Sequence, residues 1–207
     1  MFNTFSGAYT SYNSSGITST TILPYGTDAL KGWTITIGST SYVITGNTST
    51  VISFSNAIAA SGNFAIAFAD RTDLIKIEDD ITSTVKFPNT LVTNKINTTL
   101  THFEQKIRSY FKNLYIKFSD VADPMSLILN LGEVKLAFCY YCIAECYSDT
   151  TLISSDMNVY NEEKYRKKYK EIINDSLSML SVDLDNSGDL DNIDKGTASG
   201  KGVMLSR

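Results

Sequence analysis

Trp33-Thr-Ile-Thr-Ile37, Ser41-Tyr-Val-Ile-Thr45 and Thr50-Val-Ile-Ser-Phe54 follow one another with two short breaks, Gly38-Ser-Thr40 and Gly46-Asn-Thr48. Each run alternates with period two, so successive side chains point to opposite faces of an extended strand. The breaks carry the glycine and asparagine that tight hairpin turns need. A fourth run, Asn63-Phe-Ala-Ile-Ala-Phe68, comes after the turn signal Ser61-Gly62. Four short strands joined by short turns predict a compact antiparallel unit, a small barrel or sandwich.

Upstream, Met1 to Gly16 is rich in Ser, Thr, Asn and Tyr and has neither a basic cluster nor an apolar run, so it does not read as a secretory signal. Through residue 69 the only charged residues are Asp28 and Lys31. Composition changes sharply near residue 70. Beyond Asp70-Arg-Thr-Asp73 the period becomes helical: Ile96, Leu100, Phe103, Ile107, Tyr110, Leu114 and Phe118 step by three and four along one face of a helix from about Thr93 to Phe118. Asp123-Pro124 breaks the chain and opens a second helix, expected to run to about Tyr147 and to lie centrally, because it is apolar almost all round. Its stretch Leu127 to Tyr147 contains Asn130, Glu133, Lys135 and Glu145, which argues for a buried helix over a membrane span. A third helix is expected from about Glu162 to Leu180, with Tyr165, Tyr169, Ile172, Ile173 and Leu180 inward and Lys164, Arg166, Lys167, Lys168 and Lys170 outward. Lys195 to Arg207 reads as a flexible tail.

The expected fold class is therefore α+β: a β-rich domain over residues 1–70, a three-to-four-helix bundle over 71–182, and an acidic loop with an extended tail over 183–207. With 207 residues and 43% hydrophobic side chains, the chain is long enough to bury a core. Its net charge of −4 gives no bulk argument for nucleic-acid binding.

The sharpest local signal is Asp183-Leu-Asp-Asn-Ser-Gly-Asp-Leu-Asp-Asn-Ile-Asp194. Read as a twelve-residue calcium loop, it places Asp183, Asp185, Ser187, Asp189, Asp191 and Asp194 at ligand positions and Gly188 at the sharp turn. A hard cation wants several oxygen ligands at short range, and alternate short carboxylates supply them. Two features depart from the pattern: the last position is Asp rather than Glu, and no second helix follows. A solvated acidic turn that ends the third helix fits the same residues.

Cys139, Cys142 and Cys146 fall on one helical face and are odd in number, which suits reduced thiols packed in a core and an intracellular origin. His102, the sole imidazole, has no flanking signature of a catalytic pair with Cys139. Gly196 to Gly202 lacks the spacing and the strand–helix setting of a phosphate loop. Glu78-Asp79-Asp80 and Glu162-Glu163 fit helix starts better than acid–base chemistry. No catalytic set emerges, and the chain is read as a non-enzyme. The basic residues Lys164, Arg166, Lys167, Lys168 and Lys170, with Lys201 and Arg207 in the tail, are candidates for contact with a partner.

The order of elements carries a resemblance. A helix from about Thr93 to Phe118, then Asp123-Pro124, an apolar helix ending near Tyr147, and Tyr160-Asn-Glu-Glu-Lys-Tyr-Arg-Lys-Lys-Tyr169 lead into Leu180-Ser-Val-Asp-Leu-Asp-Asn-Ser-Gly-Asp189. Together these resemble the head-to-tail connector (adaptor) proteins of tailed bacteriophages over roughly residues 72–207. The β-rich part departs from minimal connectors and looks like an appended domain. The resemblance implies a virion neck protein made in the host cytoplasm, with a role in genome ejection. It implies a homo-oligomeric ring, commonly twelve-fold, beneath the portal protein. A stopper or tail protein would bind below, DNA would pass through the channel without sequence-specific contact, and no membrane would be involved. Two other readings remain: a calcium-dependent binding module, and a tail-fibre or baseplate component in which Trp33, Tyr42 and Phe54 stack on sugars.

Overall fold

The computed structural model describes residues 5–13, 15–23, 28–55, 62–113, 128, 130–150 and 156–182. The fold is α+β, and the chain divides into two compact units. One comprises Met1–Phe68, Lys117–Glu133 and Ser178–Arg207; the other comprises Ala69–Ile116 and Val134–Leu177.

The first unit is built on a closed six-stranded antiparallel barrel. Its strands are β1 (Phe5–Asn13), β2 (Gly16–Ser19), β3 (Thr34–Ile37), β4 (Thr40–Asn47), β5 (Val51–Phe54) and β6 (Gly62–Ala67). They run in the order β1-β2-β5-β4-β3-β6, and β1 closes on β6. Register shifts between Tyr9 and Ser11 in β1 and between Ile44 and Gly46 in β4 put an extra residue into each strand. Such bulges increase local twist and help a small sheet curl onto itself. Ile35, Ile44, Ile52, Phe54 and Ile66 point inward and are almost fully buried. Trp33 meets Phe68 edge-on at 5.4 Å, and Tyr42 stacks on Phe54 at 5.1 Å. Asn47 ties the turn before β3 to the barrel: its Oδ1 accepts from Leu30 N at 2.8 Å, and its own N–H donates to Asp28 Oδ1 at 3.2 Å.

The expected strands over residues 33–68 are all present, and the barrel is the form they take. Strands β1 and β2 were not anticipated. The inward positions of β1 include Gly7, opposite Phe64, which interrupts the apolar alternation, and β2 is only four residues long.

The second unit holds a short helix α1 (Arg71–Ile75), a 3₁₀ turn (Asp79–Thr82), α2 (Asn89–Asn113) and α3 (Lys135–Thr150). It also holds most of α4 (Asp156–Ser178). Asp70 caps α1 through Asp73 N at 3.1 Å, and Asp73 returns the bond from Asp70 N at 3.2 Å. This reciprocal pair satisfies two donors that a helix start otherwise leaves open. Arg71 fastens the connection to α2 by donating to Phe87 O at 2.9 Å, to Asn89 Oδ1 at 2.6 Å and to Ile81 O. Phe103 of α2 packs on Phe138 of α3 at 5.4 Å and on Tyr169 of α4 at 5.9 Å. No helix among the described residues is long and apolar enough to cross a membrane.

Helix boundaries differ from expectation. The first long helix begins at Asn89, right after Pro88, not at Thr93, and is described to Asn113; Leu114 and Phe118 lie outside the described residues. The third begins at Asp156 rather than Glu162 and ends at Ser178. The stretch from Leu127 to Tyr147 is not one helix. Ile128 makes an antiparallel bridge to Val182, Leu131–Val134 forms a 3₁₀ turn, and the α-helix starts only at Lys135. The cause is close packing at Gly132. A Cβ on Gly132 would stand 2.5 Å from Lys31 O and 3.3 Å from Gly32 Cα, so only a bare backbone passes there. Gly32 itself has φ +83°, a left-handed conformation that glycine adopts without steric cost. Beside it, Asn130 Nδ2 donates to Met179 O at 2.7 Å, and Asn130 Oδ1 accepts from Ser181 N at 2.6 Å. Residues 128–133 and 178–182 thereby belong to the unit that contains the barrel.

Candidate partner-binding face

Helix α4 carries the basic residues that the sequence singled out. With 3.6 residues per turn, Tyr160, Lys164, Lys167, Lys168 and Glu171 share one side. They line, with Glu163, an open surface hollow of about 450 Å³. Tyr160 is 63% exposed, and the Lys167 side chain is 80% exposed, with its Nζ 4.0 Å from Glu171. Lys164 Nζ lies 4.7 Å above the Tyr165 ring and 3.7 Å from the Glu78 carboxylate. Lys168 Nζ lies 5.2 Å from the Tyr140 ring and 5.3 Å from that of Tyr165. Ammonium groups held over ring faces keep their charge while their stems cover apolar surface.

Beneath the hollow, two tyrosines meet two carboxylates. Tyr165 Oη donates to Glu78 Oε2 at 2.6 Å, and Tyr147 Oη donates to Asp80 Oδ2 at 3.1 Å. Burial first, and then these carboxylates, push both phenols well above their ordinary range. Lys86 Nζ donates to Asp80 Oδ2 at 2.8 Å and sits 5.0 Å from the Tyr147 ring. The Lys86 hydrogen bond lowers the Asp80 carboxyl below its ordinary value, against a smaller opposing effect of burial. Glu78, expected as a cap, does cap the 3₁₀ turn, accepting from Asp80 N at 3.5 Å.

The five basic residues do not form one outward face. Arg166 turns toward α3, donating to Glu162 Oε1 at 2.7 Å and to Glu145 Oε1 at 3.0 Å. Burial opposes its charge, but these bonds outweigh burial and raise its pKa. Lys170 is exposed, away from the hollow. Glu162 therefore serves an ion pair inside α4 rather than a helix start, since that helix begins six residues earlier. Sequence reasoning missed Tyr140, Tyr160 and Glu78 as parts of this face. The spacing of Tyr160 and Lys164 was a usable signal; the place of Tyr140 and Glu78 comes from tertiary packing.

The remaining candidates fall as follows. Asp183, Asp185, Ser187, Asp189, Asp191 and Asp194 lie outside the described residues, as do Lys201 and Arg207. Among the described residues, no group of three or more His, Cys, Asp or Glu side chains is placed to hold a metal ion. Cys139, Cys142 and Cys146 are free and buried. Burial, then the charge of Asp73, pushes the Cys139 thiol up to about 12, and burial raises Cys142 as well, so neither is a thiolate at neutral pH. The His102 ring lies parallel to that of Tyr141, with centroids 4.6 Å apart. Burial, and then Lys106, lower its pKa, which favours the neutral ring. Trp33 and Phe54 are buried in the barrel, so neither presents a face for a sugar. The hollow on α4 offers three cations and exposed aromatic surface between two glutamates, an arrangement suited to holding a short acidic feature of a partner protein.

No protein family model, no curated protein and no solved structure matches the chain.

Proposed function

We propose that this chain is a structural virion protein, a head-to-tail adaptor of a tailed bacteriophage. In this reading, copies form a ring beneath the portal, join it to a stopper or tail protein, and extend the channel through which DNA passes. The helices act as a three-to-four-helix bundle, and the barrel is an added domain. The single observation that carries the reading is the order of elements. Helix α2 leads through Asp123-Pro124 to the apolar α3; the Lys/Tyr-rich α4 then runs into Leu180-Ser-Val-Asp-Leu-Asp and a Gly/Ser/Lys-rich terminus. The Lys164–Lys168 hollow supports it as a surface able to receive an acidic neighbour, since buried charge of one sign at an interface needs its complement. The reading assigns no catalytic role.

Electron microscopy of the full chain, alone and mixed with a portal protein of the same source, tests this directly. The expected result is ring-shaped particles or a ring added to portal. Neither ring nor portal complex across a wide concentration range would sink the proposal. Lys167→Glu together with Lys168→Glu is expected to weaken the portal or neck contact without lowering the melting temperature by more than about 2 °C.

A further inference from the structure

The twelve residues from Asp183 to Asp194 hold five of the chain's 22 acidic residues and no basic one. Without those five, 17 acidic residues stand against 18 basic ones, so this segment more than accounts for the net charge of −4. Leu184, Leu190 and Ile193 are set between the carboxylates. The segment is acidic and apolar at once, and a surface complementary to it must supply both cations and apolar contact.

Helix α4 supplies both on one side. At 100° per residue, Met157, Tyr160, Lys164, Lys167 and Lys168 fall within about 100° of one another around its axis. Met157 and Tyr160 are exposed apolar residues at the start of this stripe, and the lysines continue it. The lysines are incompletely compensated. Among the described residues no carboxylate pairs with Lys168, which rests on the rings of Tyr140 and Tyr165. Lys167 is exposed and only loosely paired, with Nζ 4.0 Å from Glu171. Glu163 and Glu171 border the same hollow, which disfavours a partner that is acidic and nothing more. From Met157 to Lys168 the stripe is about 17 Å long, which an extended chain covers in about five residues, so the twelve-residue segment has ample length. Val182, the residue before the segment, bridges Ile128, so whatever the segment grips is tied to the fold of its own copy.

We infer that the acidic segment Asp183–Asp194 of one copy docks on the α4 hollow of the next copy. Its carboxylates meet Lys167 and Lys168, and its aliphatic side chains meet Tyr160 and Met157. The inference deepens the adaptor reading and rests on it: copies side by side in a ring bring the segment of one to the helix of the next, and the acidic neighbour of the hollow is thereby named. Segment and hollow are different surfaces, so the contact is heterologous, and repeated heterologous contacts close into rings when the rotation allows.

Analytical ultracentrifugation of full-length forms, at low salt and rising concentration, alone and with portal, tests it. The wild type is expected to associate. Lys167→Glu with Lys168→Glu reverses the hollow. Asp185→Lys with Asp189→Lys and Asp191→Lys reverses the segment. Circular dichroism and melting are expected to match the wild type; Lys167→Glu alone, at an exposed side chain, replaces the first form if losing the Lys168 ring contacts lowers melting. Each reversed form by itself is expected to associate at least ~10-fold more weakly, about 1.4 kcal/mol. Mixed one to one, the two forms are expected to recover, because acidic segment then meets basic hollow and basic segment meets acidic hollow. A merely structural role for these residues gives no such recovery. Weakening by the hollow form but not by the segment form would assign the hollow to another acidic partner and overturn the inference. Recovery when both sets share one chain, but not in the mixture, would put the segment on its own copy and overturn it as well. Folded variants that all associate as the wild type does would remove this contact and leave the ring reading standing. A wild type that stays monomeric, alone and with portal, would remove both.

Discussion

Gly132 illustrates how a single hydrogen in place of a side chain sets a chain path. Its α-carbon passes the backbone of Lys31 and Gly32 so closely that a Cβ would stand 2.5 Å from Lys31 O, with backbone rather than a yielding side chain in the way. Gly132→Ala is expected to destabilise the protein by about 2–3 kcal/mol through overpacking, read as a lower urea midpoint at unchanged slope. Asp80 gives a second residue-scale prediction, in pH. Its carboxyl is held below its ordinary value of 3.8, chiefly by the Lys86 hydrogen bond. A lowered acid favours the folded state while it is ionised. Its contribution is thus complete above the ordinary value and disappears as pH falls through that value toward the lower folded one. The melting-temperature gap between wild type and Lys86→Met is therefore expected to be widest near neutrality and to narrow below about pH 4. The residual gap in acid is what the lysine contributes by resting over Phe87 and Tyr147. A gap constant from pH 7 to pH 3 would refute the carboxylate's part.

At the scale of elements, Asp73 joins two helices. It completes the cap of α1, and its Oδ2 lies 3.0 Å from Lys135 Nζ at the start of α3, with both side chains largely buried. Asp73→Ala is expected to cost about 3 kcal/mol, because it removes a cap and leaves an ammonium in low dielectric. Asp73→Asn keeps an oxygen for Asp70 N and is expected to lose less; equal losses in urea melts would mean that the cap contributes nothing and the ion pair with Lys135 carries the whole effect. The same scale shows what the sequence made legible. Strands β3 to β6 were readable because Ile35, Ile44, Ile52 and Phe64 sit at alternate positions between glycine turns. Strand β1 was not, since its inward set Phe5, Gly7 and Tyr9 has glycine at its centre, and β2 is only four residues long. The start of α4 was hidden by Met157, Val159 and Tyr160, apolar residues that the fold leaves exposed, while Asn158 and Asn161 are buried. The break before α3 had a sign in Gly132, but an apolar run reads as helix by periodicity alone. Of the candidate face, the lysines were visible from their repeat. The turn of Arg166 toward Glu145 depends on a neighbour 21 residues away, which local spacing does not reveal.

At the scale of the whole molecule, the division of charge makes two kinds of contact separable by salt. A contact through the uncharged barrel gains nothing from ionic attraction, so an association made there is expected to hold or strengthen between 50 and 500 mM NaCl, about a tenfold range over which surface charges become screened. A contact through Lys164, Lys167 and Lys168 should weaken over the same range. Sedimentation across that series tells the two apart, and dissociation of the self-associated form at high salt would point away from the barrel. The residues that close the α3–α4 segment have a mechanical consequence. Ile128 bridges Val182, and Asn130 grips Met179 and Ser181 from the side. A pull applied through the chain beyond Val182 meets this clasp before it meets α4. Tension crosses to residues 128–130 and bypasses the helix, which bears load only after the clasp has sheared.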